Sequence, residues 1–345
     1  MKEIILIGGI GTLKKCAGGE AAKNLNLMTA LRDCGRIVIP VNLIQLKKHP
    51  WRILKIFFTL LIHPKSNVII SSSLKRCGWL IKMFYRINSG RNICFVGTGC
   101  EFSQTIAQGR FNAKYFRNIS NIIVQGATMK EELATVGLNS MVLPNFKKIT
   151  ALPDLKARVD DGIVRFVFLA RIRTEKGVDL ILKSAERLCD AGLDKKFTID
   201  FYGAFEDKDY QKQTLSKIAN MPNVHYKGVL NLVKPTGYEI LSQHSIMLFP
   251  TYWPGEGFPG IIIDALIAGL PIIASDWHFN SSLVEENKTG RIIPHNNEEA
   301  LYQAMLDVIH NPQTYQAMSA YCQQKAFTYD TKNIINEAFL KKLNM

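Results

Sequence analysis

The sequence of 345 residues lacks the hallmarks of several protein classes, and each absence narrows the possible functions. The apolar core of 51–64 is too short to span a bilayer, which requires about 20 residues in a helix. The seven cysteines are odd in number and have neither C-x-x-C nor zinc-ligand spacing, so we expect reduced thiols in a cytosolic protein. A P-loop and a complete G-x-G-x-x-G are both missing, which argues against a kinase or an NAD-dependent enzyme.

Acidic residues are scarce in the first half. Residues 1–150 contain 22 lysines and arginines but 6 acidic residues, whereas the remainder contains 21 and 23. This surplus favours an anionic partner, and 51–64 and 74–87 mix aromatic, aliphatic and basic residues as segments at an anionic membrane surface do. The alternative is that both are core helices whose basic side chains reach solvent. We expect no nucleic-acid partner, because no binding motif for one is present.

Length and composition favour two globular domains, with 47% apolar and 21% charged residues. Apolar runs alternate with helix-like segments in both halves, which predicts an α/β fold with parallel sheets. The segment 141–155 contains two prolines and is the best linker candidate. We therefore predict the GT-B architecture, in which two Rossmann-like domains, 1–146 and 147–329, face each other across a cleft. A terminal helix at about 330–345 is expected to pack back onto the first domain.

Two stretches about eighty residues apart carry groups suited to a nucleoside diphosphate. In the first, FVFLARIRTEKG, an apolar strand leads to Arg171 and then to Lys176, where a helix begins. Arginine can contact two phosphate oxygens at once, and lysine acts as a point charge. The alternative is a solvated basic turn, and this motif alone does not decide between the two.

The second stretch, LFPTYWPGEGFPGIIIDALIAG, is more specific. Pro259 suits the first turn of a helix, so the N–H groups near Gly260 and Ile261 would turn the positive end of that helix toward a diphosphate. Asp264 follows in a nearly all-apolar helix, where a carboxylate needs a ligand or a partner. Glu256 would then lie toward the sugar and Asp264 toward the ribose. The alternative is that Glu256 lies in an ordinary turn and Asp264 caps or solvates the helix.

These residues resemble glycosyltransferase family 4, a family of retaining enzymes with the GT-B fold, of the bacterial surface-polysaccharide type. The resemblance covers most of the chain and is strongest in 164–188 and 244–295. The matching residues there are Arg171, Lys176, Gly177, Pro250, Glu256, Gly257, Phe258, Gly269, Pro271, Ala274 and Ser275. In addition, 16–31 resembles the family's first-domain glycine loop, and 125–146 resembles the segment near its hinge.

The resemblance implies a hexosyltransferase that uses a nucleoside-diphosphate sugar, foremost a UDP-sugar, as donor and needs neither a metal nor another cofactor. Its catalytic residues would be Arg171, Lys176 and Glu256. Its donor-binding residues would be Gly18, Gly19, Gly203, Val229, Leu230, Gly257, Phe258, Pro259, Gly260 and Asp264. The acceptor would be a glycan or lipid-linked saccharide in cell-surface polysaccharide or lipopolysaccharide synthesis. This implies a cytoplasmic protein, peripherally bound to the inner face of the cell membrane.

The sequence departs from the family pattern at three points. Asp264 replaces the second glutamate of the pair and is shorter by about 1.5 Å. EGFPG replaces the commoner EGFG-Leu, and 97–100 stands where many relatives have a histidine, for which Glu101 is a speculative substitute. The D-x-D at 207–209, a metal motif in another glycosyltransferase fold, is predicted to be a solvated loop.

Two alternatives to a glycosyltransferase function remain open. One is a catalytically silent GT-B partner of polysaccharide-assembly enzymes, and the other is a sugar-nucleotide epimerase.

Overall fold

The computed structural model describes residues 3–11, 19–44, 46, 50–87 and 90–345. The chain divides into two compact units. The first unit comprises Met1–Lys148, Pro254–Phe258 and Tyr329–Met345, and the second comprises Ile149–Trp253 and Pro259–Thr328. The domain boundaries expected from the sequence stay a prediction, because a compact unit need not be an independently folding domain.

The first unit contains a parallel sheet between helices. The strands described in it are β1 (Glu3–Gly8), β2 (Ile37–Asn42), β3 (Asn67–Ser72), β4 (Ile93–Gly97), β5 (Asn121–Val124) and β6 (Met141–Val142), in the spatial order β2-β1-β3-β4-β5-β6. Its first helices are α1 (Gly19–Asp33), α2 (Trp51–Ile62), α3 (Leu74–Arg86), α4 (Glu101–Ala107) and α5 (Ala127–Ala134). The central strands are apolar and buried along nearly their whole length, as parallel strands covered on both faces are.

The start of the segment 141–155 is a strand and not a linker. Met141 and Val142 of β6 pair with Ile123 and Val124 of β5, so this part of the segment completes the sheet. A strand of two residues is too short to show a period of two, and the prolines of the segment come after it.

The second unit contains the second parallel sheet. The strands described in it are β7 (Val164–Leu169), β8 (Phe197–Tyr202), β9 (Val224–Tyr226), β10 (Ile246–Phe249), β11 (Ile272–Ser275) and β12 (Gly290–Ile293), in the spatial order β12-β11-β10-β7-β8-β9. Its helices are α6 (Val178–Asp190), α7 (Lys208–Ala219), α8 (Pro235–Ser242), α9 (Gly260–Ile267), α10 (Asn280–Leu283), α11 (Glu298–His310), α12 (Pro312–Gln316) and α13 (Ser319–Ala326). Two parallel sheets that alternate with helices confirm the predicted α/β class.

The last residues of the chain belong to the first unit. After α13 the chain forms two short helices, α14 (Thr331–Ile334) and α15 (Glu337–Lys342). The apolar side chains of Ile335, Leu340 and Leu343 are buried in the same core cluster as Leu31 of α1 and Val96 of β4. Apolar burial therefore fixes this segment against the first sheet.

None of the helices in the described ranges combines the length and the apolar character that a bilayer-spanning helix requires.

Candidate functional site

The predicted cations of the second unit follow the carboxyl end of β7, beside the end of its neighbour β10. β7 ends just before Arg171, and β10 ends just before the segment 250–253. The two strands pair in parallel through Ile246 with Phe166 and Met247 with Val167, so the loops that follow them lie at the same edge of the sheet. Ligands of open parallel sheets bind at this edge.

These two loops are held together by backbone contacts. The carbonyl oxygen of Glu175 accepts hydrogen bonds from Tyr252 N at 2.8 Å and from Thr251 Oγ1 at 3.3 Å. Gly177 has a φ of +79°, and a Cβ atom there would lie 2.3 Å from Pro250 O. A side chain at 177 would therefore force the loops apart, which explains the glycine.

Three cations contact one indole ring in this region. The Nζ atom of Lys176, a residue only 6% exposed, lies 4.9 Å from the centroid of Trp253. The guanidinium carbons of Arg171 and Arg173 lie 5.8 Å and 5.2 Å from the same ring. The structure thus brings Arg171 and Lys176 together, as expected, and adds Arg173 and Trp253.

Two carboxylates accompany the cations. Glu206 contacts both Arg171 and Arg173, and Arg173 Nε also lies 2.8 Å from Glu175. The hydrogen bond from Arg173 lowers the pKa of Glu175, so this carboxylate stays ionised. The ion pair between Arg171 and Glu206 is exposed to solvent, where such pairs contribute about 1 kcal/mol or less. A phosphate group can therefore compete for Arg171 at little cost.

Asp264 is buried in α9 and has a protein partner. It is 4% exposed, and Tyr238 Oη donates a hydrogen bond to its Oδ1 at 2.6 Å. Burial and the charge of Asp264 raise the pKa of Tyr238 well above its usual value, so the phenol keeps its proton. The structure therefore supplies the partner that a buried carboxylate requires, and contact with a ribose stays a prediction.

The helix α9 begins one residue later than the sequence indicates. Pro259 is its N-cap with φ −74° and ψ 108°, and Gly260 is the first helical residue. The extended ψ of Pro259 excludes it from the first turn, although its carbonyl oxygen accepts a bond from Ile262 N at 3.1 Å. The proline still removes one N–H group that would have no partner within the helix.

The segment that contains Glu256 belongs to the first unit. Glu256 is 7% exposed, so it is not a solvated turn residue, and its carbonyl oxygen accepts a hydrogen bond from Cys100 Sγ at 2.9 Å. Burial raises the pKa of Cys100 to about 12, which keeps the thiol in its protonated, donating form. A Cβ atom at Gly257 would lie 3.1 Å from Gly99 Cα, so the two backbones pack closely. Cys100 belongs to 97–100, the segment at which the sequence lacks the histidine of the family pattern.

Phe258 is held by the same unit. Its carbonyl oxygen accepts a hydrogen bond from Asn145 Nδ2 at 3.4 Å, and its ring meets that of Tyr329 edge to face at 5.8 Å. Glu101, the speculative substitute for the histidine, is the first residue of α4 and pairs with Lys75 at 3.2 Å on the surface. The described contacts give Glu101 a surface ion pair, and its catalytic role stays a prediction.

The remaining predicted donor residues lie in separate loops. Gly203, at the end of β8, has a φ of +153°, and a Cβ atom there would lie 1.8 Å from Ala170 O. Val229 is exposed and Leu230 is half-buried in the loop after β9, and Gly19 is the exposed first residue of α1. Gly18 lies outside the described residues. The donor contacts of all five stay predictions.

The D-x-D sequence has a local structural role. Asp207 is the N-cap of α7 and accepts a hydrogen bond from Tyr210 N at 2.7 Å. Within the described ranges, no group of three or more His, Cys, Asp or Glu side chains is arranged to hold a metal ion. Chemistry without a metal stays a prediction.

Comparison with known proteins finds that this chain is similar to glycosyltransferases. Residues 156–325 match the family described as Glycosyl transferases group 1. An uncharacterized glycosyltransferase of Haemophilus influenzae is 28% identical over 214 residues, which cover 60% of this chain and 56% of that protein. The phosphatidyl-myo-inositol mannosyltransferase of Mycolicibacterium smegmatis is 20% identical over 231 residues, which cover 66% of this chain and 57% of that protein. The matches thus span little more than half the length of either relative.

Among solved structures, Anabaena HepE in complex with UDP superimposes with a TM-score of 0.71 at 15% identity, and the alignment covers 100% of both chains. Likeness at this identity defines the fold and confirms the GT-B class predicted from the sequence. The matched range contains the cations around Trp253 and the buried pair of Asp264 and Tyr238. The similarity to the Glycosyl transferases group 1 family therefore extends over both of these groups.

Proposed function

We propose that this protein transfers a hexosyl group from a nucleoside-diphosphate sugar, with UDP as the nucleotide, to a glycan acceptor. The observation that carries the proposal is the group of three cations, Arg171, Arg173 and Lys176, on Trp253 at the carboxyl ends of β7 and β10. A diphosphate is the ligand that matches such a group in charge. The complex of HepE with UDP, a protein of the same fold, supports the choice of nucleotide.

In the proposed reaction, the bond between the anomeric carbon and the diphosphate breaks and a bond from that carbon to an acceptor oxygen forms. The acceptor's hydroxyl proton passes to the departing phosphate oxygen. Negative charge grows on the diphosphate as it leaves, so Arg171 and Lys176 lower the barrier by binding the product-like state more strongly. Glu256 orients the sugar and Asp264 holds the ribose. The acceptor attaches on the face that the diphosphate leaves, which retains the anomeric configuration.

Removal of one cation should weaken nucleotide binding and turnover. We expect Lys176→Ala to lower the affinity for UDP and the rate of transfer about 10- to 100-fold, because a charge-assisted contact contributes about 1.5–3 kcal/mol. Isothermal titration with UDP and a transfer assay with a UDP-sugar panel measure these quantities. Lys212→Ala is the matched control, because Lys212 is an exposed lysine of α7 in the same unit.

Three outcomes would contradict the proposal. A wild-type protein that binds no nucleoside diphosphate would be a silent partner and not an enzyme. Conversion of the donor sugar without any acceptor would indicate an epimerase. Equal effects of Lys176→Ala and Lys212→Ala would show that the site lies elsewhere.

We further propose that the acceptor is lipid-linked and that the protein works in the cytoplasm at the anionic inner face of the cell membrane. The support is the helix α2, most of whose apolar side chains are exposed. Leu54 and Leu61 are 71% and 76% exposed, and Trp51 and Phe58 are exposed beside them. The buried residues of this helix are Ile56, Thr59 and Leu60. Apolar side chains exposed in such number on one helix mark an interaction surface.

The helix α3 does not share this property. Cys77, Leu80, Ile81 and Phe84 are buried, and the basic residues Lys75, Lys82 and Arg86 lie on its outer side. This segment therefore matches the alternative, a core helix with basic residues at the solvent, and contact of 74–87 with a membrane stays a prediction. Cys77 and Gly78 are small enough for close packing: a Cβ atom at Gly78 would lie 3.1 Å from the ring of Phe111.

Charge on the same unit agrees with an anionic surface. Arg52 and Lys55 lie on α2 and Lys65 lies just after it, within the half that carries the surplus of basic residues. Each basic side chain near an anionic leaflet contributes about 1 kcal/mol, and the contribution falls with ionic strength. The apolar face of α2 and these cations together are the two signals that peripheral binding requires.

The membrane proposal predicts that α2 controls vesicle binding. Wild-type protein should sediment with vesicles that contain phosphatidylglycerol, and the bound fraction should fall as salt is raised. Leu54→Glu combined with Leu61→Glu should lower the vesicle affinity at least about tenfold, because burial of two leucines contributes about 3 kcal/mol or more. Val159→Glu is the control, since Val159 is an apolar residue of the second unit with 60% exposure. Binding that survives the double substitution, or that is equal on neutral vesicles, contradicts the proposal.

A further inference from the structure

We propose that Trp253 is a positioning residue that holds Arg171, Arg173 and Lys176 in the arrangement that binds a diphosphate. The inference rests on the proposed function, because it assigns a role within the same site. The cationic groups lie 5.8, 5.2 and 4.9 Å from the ring centroid, all within the distance at which a cation is attracted by an indole face. One aromatic side chain therefore attracts three positively charged groups.

The backbone of Trp253 is fixed from two directions. Its N–H donates to Thr251 Oγ1 at 3.3 Å, and its carbonyl oxygen accepts a hydrogen bond from Trp277 Nε1 at 2.8 Å. Thr251 is in turn tied to Glu175 O on one side and to Ser275 Oγ on the other. The backbone of Trp253 is therefore anchored to the loops that follow β7, β10 and β11, so the sheet sets the place from which its side chain extends.

The neighbouring carboxylates attract the arginines in competition with the indole ring. Glu206 binds Arg171 and Arg173, and Glu175 binds Arg173, so ion pairing alone draws both guanidinium groups toward the acidic side chains. The indole ring attracts the same two groups and also attracts Lys176. Without the ring, the arginines would relax onto Glu206 and Glu175, and the three charges would no longer converge on one anion.

A packing role alone does not explain this tryptophan. Trp253 is only half-buried, whereas the core of this sheet consists of fully buried residues such as Phe166, Phe168 and Phe249. A half-exposed indole contributes less to the core than these rings, and its distinguishing feature is the contact with three cations. Its replacement should therefore change anion binding more than it changes stability.

The test compares Trp253→Leu and Trp253→Phe with wild type by isothermal titration with UDP and with uridine, alongside thermal unfolding by circular dichroism. Uridine lacks the phosphates, so it reports any effect on base binding or folding. We expect Trp253→Leu to weaken UDP binding about tenfold and to leave uridine binding within about twofold, because several cation–π contacts are lost. Trp253→Phe keeps an aromatic face, so its affinity for UDP should lie between those of wild type and Trp253→Leu. Should Trp253→Leu fail to fold, Trp253→Met takes its place.

Each other outcome is informative. If wild type binds UDP and Trp253→Leu binds it equally well, the positioning role is overturned and the proposed function stands. Equal weakening of UDP and uridine also overturns it, because the residue then acts on the base or on the fold. If wild type binds no UDP, the proposed function fails and this inference fails with it.

Discussion

At the scale of single residues, Lys23 of α1 is a buried cation that the sequence did not single out. Its side chain is buried, and its Nζ has no hydrogen-bond partner in the part of the chain that the structure describes. Burial lowers the pKa of Lys23 to about 8, whereas an unfolded lysine titrates near 10.4. The folded state therefore binds this proton more weakly than the unfolded state does.

Lys23→Met should stabilise the protein in a pH-dependent way. Below pH 8 both states are protonated, and the full cost of the buried charge, about 3 kcal/mol, is present. Between about pH 8 and 10.5 only the unfolded state keeps the proton, so the stability of wild type rises with pH. The gain from Lys23→Met should thus fall from about 3 kcal/mol at pH 7 to about 1 kcal/mol at pH 10. Urea unfolding at both pH values measures it, and an equal gain at both would contradict the assignment.

Arg158 is a residue whose effect is structural. Its Nε donates to Ser242 O at 2.6 Å and its Nη2 to Ala268 O at 3.0 Å, so it binds the carboxyl ends of α8 and α9, where the helix dipoles are negative. Arg158→Lys loses this forked geometry and should lower the free energy of unfolding by about 2–4 kcal/mol. Arg165→Lys is the control, because Arg165 pairs with the partly exposed Asp161. Urea denaturation compares the two, and equal losses would refute the role of Arg158.

At the scale of elements, the sequence identified most strands and helices but not their exact ends. The apolar strand predicted before Arg171 is β7, Val164–Leu169, and the terminal helix expected at about 330–345 is the two short helices α14 and α15. Long runs of apolar residues between glycines and polar turns make such elements recognisable. β6 was missed because two residues carry no period. The sequence also did not reveal that α2 exposes most of its apolar side chains whereas α3 buries them. The two helices have similar residues, and the surrounding core decides which of them are buried.

The same limit applies to the site. Arg171, Lys176 and Asp264 were identifiable because each lies in a local motif that follows a strand or opens a helix. Trp253 and Tyr238 were not, since their roles depend on contacts with residues far along the chain: Lys176 for Trp253, and Asp264 for Tyr238. Local patterns therefore predict the ionised groups of the site, and the neutral side chains that fix those groups require the fold.

At the scale of the whole molecule, the two units are interleaved along the chain. The matched family range, 156–325, lies mainly in the second unit, yet Pro254–Phe258 within it belongs to the first. The most specific part of the sequence motif, Glu256 with Gly257 and Phe258, is therefore held by contacts with Cys100, Gln125 and Asn145. A family match over one range does not imply that every residue in the range is positioned by the unit that the range defines.

The burial of Ile335, Leu340 and Leu343 against the first sheet bears on the order of events during synthesis. The strands of that sheet leave the ribosome early, but the residues that complete its core emerge only after all of 149–328. Newly made β1–β6 must therefore wait with part of their apolar surface uncovered while 149–328 is translated. The domains of most proteins fold one after another as they emerge from the ribosome. In this protein the first unit cannot complete its core before the second unit has been synthesised. Nascent chains of this protein should consequently depend on chaperones until 335–343 have emerged.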